Sequence, residues 1–152
     1  MSIDARLSEL NITLPDAPAP AANYVPYVRT GNLLFVSGQI AAGADGLING
    51  RLGHDMDTAA GAAAARACGL SLMAQARAAL GSLDRVARVV KLTGFVASTP
   101  DFTDQPEVVN GCSDLMVEVF GDRGRHARAA VSAPSLPRGV AVEIEAVFEI
   151  EG

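Results

Sequence analysis

The sequence predicts an α+β domain in which one sheet carries two helices on one face. Two long segments have helical character, and strand-like runs flank and separate them in the order β-β-α-β-α-β-β. The last run, Val140–Ile150, alternates apolar and acidic residues with the period of a strand that buries one face. The 152 residues suit a single domain of this class.

The N-terminal residues predict a helix and a tether that precede the domain. Apolar residues recur at helical spacing over Ile3–Leu10, with Ser2 or Asp4 as the N-cap. Prolines then interrupt the pattern, so Leu14–Ala22 is expected to be extended and semi-rigid. We therefore expect the helix and tether within residues 1–22 and one domain over 23–152.

The first strands should form a hairpin. The β-rich runs Val25–Arg29 and Leu33–Ser37 are joined by Thr30-Gly31-Asn32, which has the composition of a turn. The glycine-rich segment Ala41–Gly53 that follows predicts a loop or a second weak hairpin around Ala44-Asp45-Gly46.

An alanine-rich segment, Ala59–Leu80, predicts the first long helix. Asp57 or Thr58 can cap its start, and Gly81 can end it. Its small side chains form a smooth face, which suits packing against a sheet.

The second half of the chain predicts three strands and a helix. Val86–Ala97 is rich in valine and other strand-forming residues. A helix follows over Gln105–Phe120, with Pro106 in its first turn. Arg128–Ala133 is a short strand stopped by prolines, and Val140–Ile150 is the last strand.

Composition argues against several classes of function. A net charge of −5 opposes a nucleic-acid partner, which requires a basic surface. The alanine-rich segment contains arginines and is too weakly apolar to span a membrane, and no signal peptide is apparent, so we expect a cytoplasmic protein. Two cysteines and two histidines, none at ligand spacing, predict neither a disulfide framework nor a metal site.

Two features could support chemistry. One is the basic cluster 124–128 (GRHAR) at the start of a strand, and the other is the acidic face of the last strand. Charged residues in such places are more often solvated surface groups. The residue patterns alone therefore indicate a domain with an Arg/Glu site as one possibility.

Two stretches resemble a known family. Tyr24–Gln39 (YVPYVRTGNLLFVSGQ) is similar to the N-terminal hairpin of the Rid family, the RidA/YjgF-type proteins also called the endoribonuclease L-PSP family. His126–Glu145 (HARAAVSAPSLPRGVAVEIE) resembles the family's C-terminal signature, in which an arginine-containing strand leads through a Leu-Pro turn into a V-E-I-E strand. The first helix and tether resemble the branch of the family with a longer N-terminus.

The resemblance implies a fold and an activity. The fold would be chorismate-mutase-like, a RidA-like sheet with two helices on one face, assembled as a homotrimer with sites in the clefts between subunits. The activity would be hydrolysis of reactive 2-imino acids, such as 2-iminopropanoate and 2-iminobutanoate, to 2-keto acids and ammonia. Neither a cofactor nor a metal is implied, and the partner would be a small molecule with a carboxylate.

The resemblance also assigns site residues. The family arginine falls on Arg128, whose planar guanidinium would bind the substrate carboxylate through paired hydrogen bonds. The family glutamate falls on Glu143, which would position or activate water and assist proton transfer. The positions that would line the cleft are Tyr24, Ser37, Gly38, Asn110 and Ala130.

Three residues depart from the family pattern. Ala130 stands where many members have cysteine, Pro134 removes a backbone donor near the cleft, and Ser113 replaces an aromatic residue. Since a fold does not guarantee its usual chemistry, the alternative is a non-catalytic small-molecule-binding or regulatory trimer. The older family role, endoribonuclease or translation inhibitor, is least favoured because the chain is acidic and poor in aromatic residues.

Overall fold

A computed structural model describes residues 1–20 and 22–151. Single 3₁₀ turns precede β5, follow α3 and precede β7. The helices and strands are α1 (Ile3–Glu9), β1 (Tyr27–Thr30), β2 (Leu33–Ile40), β3 (Ala42–Gly43), β4 (Gly46–Leu47), α2 (Thr58–Leu80), β5 (Val86–Ala97), α3 (Gln105–Phe120), β6 (Ala127–Ala133) and β7 (Val142–Ile150).

Five strands form one mixed sheet in the order β1-β2-β7-β5-β6. Neighbouring strands are antiparallel except β5 and β6, which are parallel. The short strands β3 and β4 form a separate hairpin around the predicted turn. This arrangement confirms the α+β prediction.

The helices α2 and α3 pack against each other and cover one face of the sheet. The alternate residues of β7 that face them are buried from Val142 to Ile150. Asp57 caps α2 by accepting a hydrogen bond from the Ala60 amide, and Gly81 ends it with a φ of 83°. Both boundaries agree with the predicted cap and stop.

Close approach of the two helices depends on a glycine in α3. A Cβ at Gly111 would overlap the backbone carbonyl oxygen of Ala62 in α2, and it would lie 2.7 Å from the Ala62 carbonyl carbon. Because backbone atoms cannot move aside, only glycine fits at this crossing.

The N-terminal helix packs on the domain. Ile3 and Leu7 are buried, and the Ile3 amide donates to the Asp84 carboxylate at 2.7 Å. The side chain of Arg6 reaches the carbonyl of Glu118 in α3 at 2.8 Å. Residues 12–20 form neither helix nor strand, although Leu14 is buried.

Several strand boundaries differ from the prediction, among them the end of β1 at Thr30 and the start of β6 at Ala127. The first strand begins at Tyr27, because Pro26 has no amide hydrogen to donate to a ladder. The second strand continues to Ile40 through a bulge at Ser37 and Gly38, where its register against β7 shifts. The last strand begins at Val142, after the preceding 3₁₀ turn.

The opposite face of the sheet carries no helix among the described residues. Its exposed apolar side chains include Phe35 and Val131, each 43% exposed, and Val28 on the edge strand β1. Within the described residues, no helix has both the length and the apolar character needed to cross a membrane.

Candidate functional site

Glu143 lies on the open face of β7, opposite the bulge in β2. The bulge brings Gly38 against its carboxyl group: a Cβ at Gly38 would overlap Oε2 of Glu143 and lie 3.1 Å from its Cδ. The carboxyl is therefore held where glycine leaves room for it.

The surroundings of Glu143 alter its acidity. Partial burial, and to a lesser extent the negative charge of Glu145, raise the pKa of the Glu143 carboxyl above its usual range. A carboxyl with a raised pKa in a pocket is a candidate general acid or base.

Glu143 lines a pocket of about 250 Å³. The predicted residues Tyr24 and Gly38 line the same pocket, so the fold brings three of the proposed positions together. Ser37 is adjacent but does not line it. Its hydroxyl donates to the carbonyl of Val25 at 2.8 Å and so holds the loop that carries Tyr24.

One wall of this pocket comes from the N-terminal segment, residues 18–20. The amide nitrogen of Gln75, which is only 1% exposed, donates to the carbonyl of Pro18 at 2.6 Å and lies 3.4 Å from Oε1 of Gln39. Gln39 in turn donates to the carbonyl of Ser37 at 2.9 Å. This network joins residues 18–20 to the bulge in β2. The sequence reasoning missed it. The feature that could have revealed it is Gln75, a polar residue on the buried face of an alanine-rich helix.

Arg138 is a second residue of this pocket that the sequence reasoning missed. It lies in the turn between Pro137 and Gly139 with φ 60° and ψ 13°, a left-handed conformation that is uncommon outside glycine. No local sequence pattern marks it as a pocket residue.

Arg128 lies on β6, and its guanidinium is held by α3. Its Nη1 donates to the hydroxyl of Ser113 at 3.1 Å, and its Nη2 donates to the carbonyl of Pro106 at 3.2 Å. Arg128, Ser113, His126 and Arg125 line a second, shallow pocket of about 270 Å³.

His126 completes the polar contacts of Ser113. Its Nε2 lies 2.8 Å from the Ser113 hydroxyl, and its Nδ1 lies 2.6 Å from the carbonyl oxygen of Gly124. Burial is the main cause that lowers the pKa of His126, which favours the neutral imidazole at pH 7. Sequence reasoning treated Ser113 only as a departure from a family pattern, and it placed His126 within the basic cluster 124–128 without giving it a role of its own.

The two remaining predicted positions lie away from the Glu143 pocket. Asn110 is exposed on α3 and lines neither pocket. Ala130 is half-buried on β6, where it packs against the core.

Arg128 and Glu143 are separated within one chain. Arg128 pairs with the buried Leu92 of β5, whereas Glu143 pairs with Phe95, three residues along, so their side chains leave opposite faces of the sheet. Two strand spacings and three residues place their Cα atoms on the order of 14 Å apart. A single chain therefore places the two predicted residues in separate pockets.

The cysteines are unsuited to chemistry. Both are buried, and burial raises the pKa of Cys112 to about 12 and that of Cys68 well above its usual range. Among the residues that the structure describes, no group of three or more His, Cys, Asp or Glu side chains could hold a metal ion.

Comparisons with known proteins place this geometry in a family. Residues 4–148 match the family described as "YjgF/chorismate_mutase-like, putative endoribonuclease". The chain is 52% identical to Protein TCP17 of Trypanosoma cruzi, over 97% of this chain and 94% of that protein. It is 33% identical to RutC family protein y4sK of Sinorhizobium fredii, over 91% and 96%.

Solved structures agree with the fold. The protein Atu1372 from Agrobacterium tumefaciens, described as of unknown function, is 47% identical with a TM-score of 0.90, over 99% of this chain and 94% of that chain. A "putative endoribonuclease" from Shewanella oneidensis is 31% identical with a TM-score of 0.95, over 99% and 100%. RidA from Psychrobacter is 28% identical with a TM-score of 0.61, over 89% and 94%.

Proposed function

The chain belongs to the YjgF/chorismate-mutase-like family, and from this premise we propose that it hydrolyses reactive 2-imino acids to 2-keto acids and ammonia. The substrates would be of the 2-iminopropanoate and 2-iminobutanoate class. One relative is named RidA and another belongs to the RutC family, which supports a role of the family type.

The observation that carries the proposal is the Glu143 carboxyl, which has a raised pKa and lines a pocket beside Gly38. As a general base it takes a proton from water while the water oxygen bonds to C2 of the imine. Glu143 delivers this proton to the imine nitrogen, which has taken up the electron pair of the C=N π bond, and a tetrahedral carbinolamine results. The hydroxyl of the carbinolamine then gives its proton, through the same carboxylate, to the amino nitrogen while the C–N bond breaks, so the carbonyl forms and ammonia leaves.

Arg128 is the proposed anchor for the substrate carboxylate. A guanidinium has five N–H groups, and hydrogen bonds to the residues that the structure describes use two of those of Arg128. The remaining three suffice for the paired hydrogen bonds that a carboxylate accepts. Orientation of an already electrophilic imine then supplies much of the rate.

We also propose that the working unit is a homotrimer. The separation of Arg128 from Glu143 supports an assembly of more than one subunit, because a site containing both requires Arg128 of one subunit and Glu143 of another; the number three comes from the family resemblance. The apolar side chains on the uncovered sheet face, such as Phe35 and Val131, supply a surface that subunits can bury.

The test is a coupled assay in which an amino-acid oxidase generates the imine and ammonia release is followed. We expect wild-type protein to accelerate release, and we expect Arg128→Ala to abolish the acceleration while the mass in solution stays that of the wild type. Arg51→Ala, at an exposed arginine that lines neither the Glu143 pocket nor the Arg128 pocket, is the matched control. Full activity in Arg128→Ala would contradict the assignment.

A second candidate is a trimer that binds small molecules without turnover. The observation that favours it is Ala130, which offers only a methyl group where the family resemblance places a cysteine. Binding of 2-oxobutanoate without acceleration of imine hydrolysis would favour this candidate. Endoribonuclease activity, which the description of the Shewanella oneidensis protein suggests for that protein, is less favoured here because this chain carries a net charge of −5.

A further inference from the structure

We propose that Ser113 and His126 are positioning residues that hold the Arg128 guanidinium in the orientation in which it binds a carboxylate. The inference rests on the proposed role of Arg128 as the carboxylate anchor. It assigns roles to two residues that the mechanism above does not use.

The donor and the acceptor can be assigned in each hydrogen bond around Ser113. The carbonyl oxygen of Gly124 can only accept, so Nδ1 of His126 carries a hydrogen and donates to it at 2.6 Å. In the neutral ring Nε2 is therefore an acceptor, and the Ser113 hydroxyl donates to it at 2.8 Å. The oxygen of Ser113 then presents its lone pairs to Nη1 of Arg128 at 3.1 Å.

This chain of bonds defines what each residue does. His126 fixes the direction of the Ser113 hydroxyl hydrogen, so the serine oxygen faces Arg128 as an acceptor. Ser113 holds Nη1, while the carbonyl of Pro106 holds Nη2 at 3.2 Å. The guanidinium plane is thus held at two points before a ligand arrives.

Such preorganisation matters because an arginine side chain has many rotamers. Arg128 lies on the edge strand β6 and is only partly buried. When the protein has already ordered the guanidinium, the carboxylate does not bear that entropic cost on binding. Loss of the hydrogen bond from Ser113 should therefore weaken carboxylate binding more than it slows the chemical step.

The identity of residue 113 supports a specific role. Family resemblance places an aromatic residue at this position, and an aromatic ring itself offers no hydroxyl close to the backbone of α3 to accept from Nη1 and donate to His126. In this chain the Ser113 hydroxyl accepts a hydrogen bond from Arg128 and makes a second hydrogen bond with His126.

The experiment compares Ser113→Ala, Ser113→Thr and His126→Gln with two matched controls. His54→Gln changes the other histidine, which is exposed, and Ser8→Ala changes an exposed serine of α1. Calorimetry measures binding of 2-oxobutanoate, and the coupled assay separates KM from kcat.

We expect Ser113→Ala to weaken 2-oxobutanoate binding and raise KM on the order of tenfold, with kcat within about twofold of the wild type. His126→Gln should weaken binding less, because the serine hydroxyl remains. Ser113→Thr should restore binding, since threonine keeps the hydroxyl. Unchanged binding in Ser113→Ala, or no binding of 2-oxobutanoate by the wild type, would overturn the proposal.

A spectroscopic measurement tests the hydrogen-bond direction independently of turnover. Nitrogen-15 NMR of the two histidines should show the Nδ1–H tautomer for His126, with His54 as the exposed reference. An Nε2–H tautomer for His126 would overturn the assignment. So would covalent labelling of Ser113 by phenylmethylsulfonyl fluoride, which would show a nucleophile rather than a positioning residue.

These readouts separate the inference from the proposed deaminase. Weaker 2-oxobutanoate binding in Ser113→Ala, with no imine turnover by the wild type, would support the positioning role and contradict the deaminase. Imine turnover by the wild type, with a KM unchanged in Ser113→Ala, would support the deaminase and contradict the positioning role.

Discussion

Gly38→Ala tests whether the Glu143 carboxyl acts in the reaction. The added methyl group would overlap Oε2 of Glu143 and lie 3.1 and 3.2 Å from its Cδ and Cγ. To restore ordinary contact the carboxylate must move by about 1 Å, and a misplacement of that size costs on the order of 10²-fold in rate. We therefore expect kcat/KM for imine hydrolysis to fall about 100-fold.

Stability should change little in the same variant. The atoms that must move belong to the free end of a flexible side chain, and alanine is favoured over glycine inside a strand by roughly 0.5–1 kcal/mol. The free energy of unfolding should therefore stay within about 1 kcal/mol of the wild-type value, measured by urea denaturation.

Gly43→Ala is the matched control for Gly38→Ala. A Cβ at Gly43 would contact only Cδ1 of Ile48, at 3.8 Å, which is an ordinary van der Waals distance. Both variants add one methyl group to a short strand of the same half of the chain. Wild-type kcat/KM in Gly38→Ala would refute the role given to Glu143, and equal losses in both variants would refute the steric explanation.

Glu145→Gln should extend activity to lower pH, because the negative charge of Glu145 contributes to the raised pKa of Glu143 and its removal lets Glu143 ionise at lower pH. The acid limb of the kcat/KM profile measures this, and a limb that stays in place or moves to higher pH would contradict it. Gln75→Leu should lower the free energy of unfolding by about 1–3 kcal/mol, because the Pro18 carbonyl and the Gln39 side chain lose a buried partner. Urea denaturation tests this, and an unchanged midpoint would show that water replaces the amide.

The sequence by itself determined most of the secondary structure. The strand Val86–Ala97 and the helix Gln105–Phe120 have the predicted bounds. These elements are readable because burial of one face imposes a period of two on a strand and 3.6 on a helix. Caps such as Asp57 and Gly81 act within a few residues of themselves, so they too can be recognised locally.

Recognition of the candidate site residues came from family resemblance rather than from periodicity. The resemblance pointed to Arg128 and Glu143, and local patterns alone would have left them as surface charges. No sequence pattern shows that the two leave opposite faces of the sheet, because that depends on which strand lies between them and in what register.

The tertiary structure alone decided how distant segments meet. The contact of Gln75 with Pro18 joins residues 57 positions apart, and the Ser113 hydroxyl reaches His126 only because α3 ends beside the start of β6. The bulge at Gly38, which makes room for Glu143, likewise appears only when β2 pairs with β7. Local periodicity reports which side of an element is buried, whereas these contacts depend on the pairing and crossing of whole elements, which packing of the complete core sets.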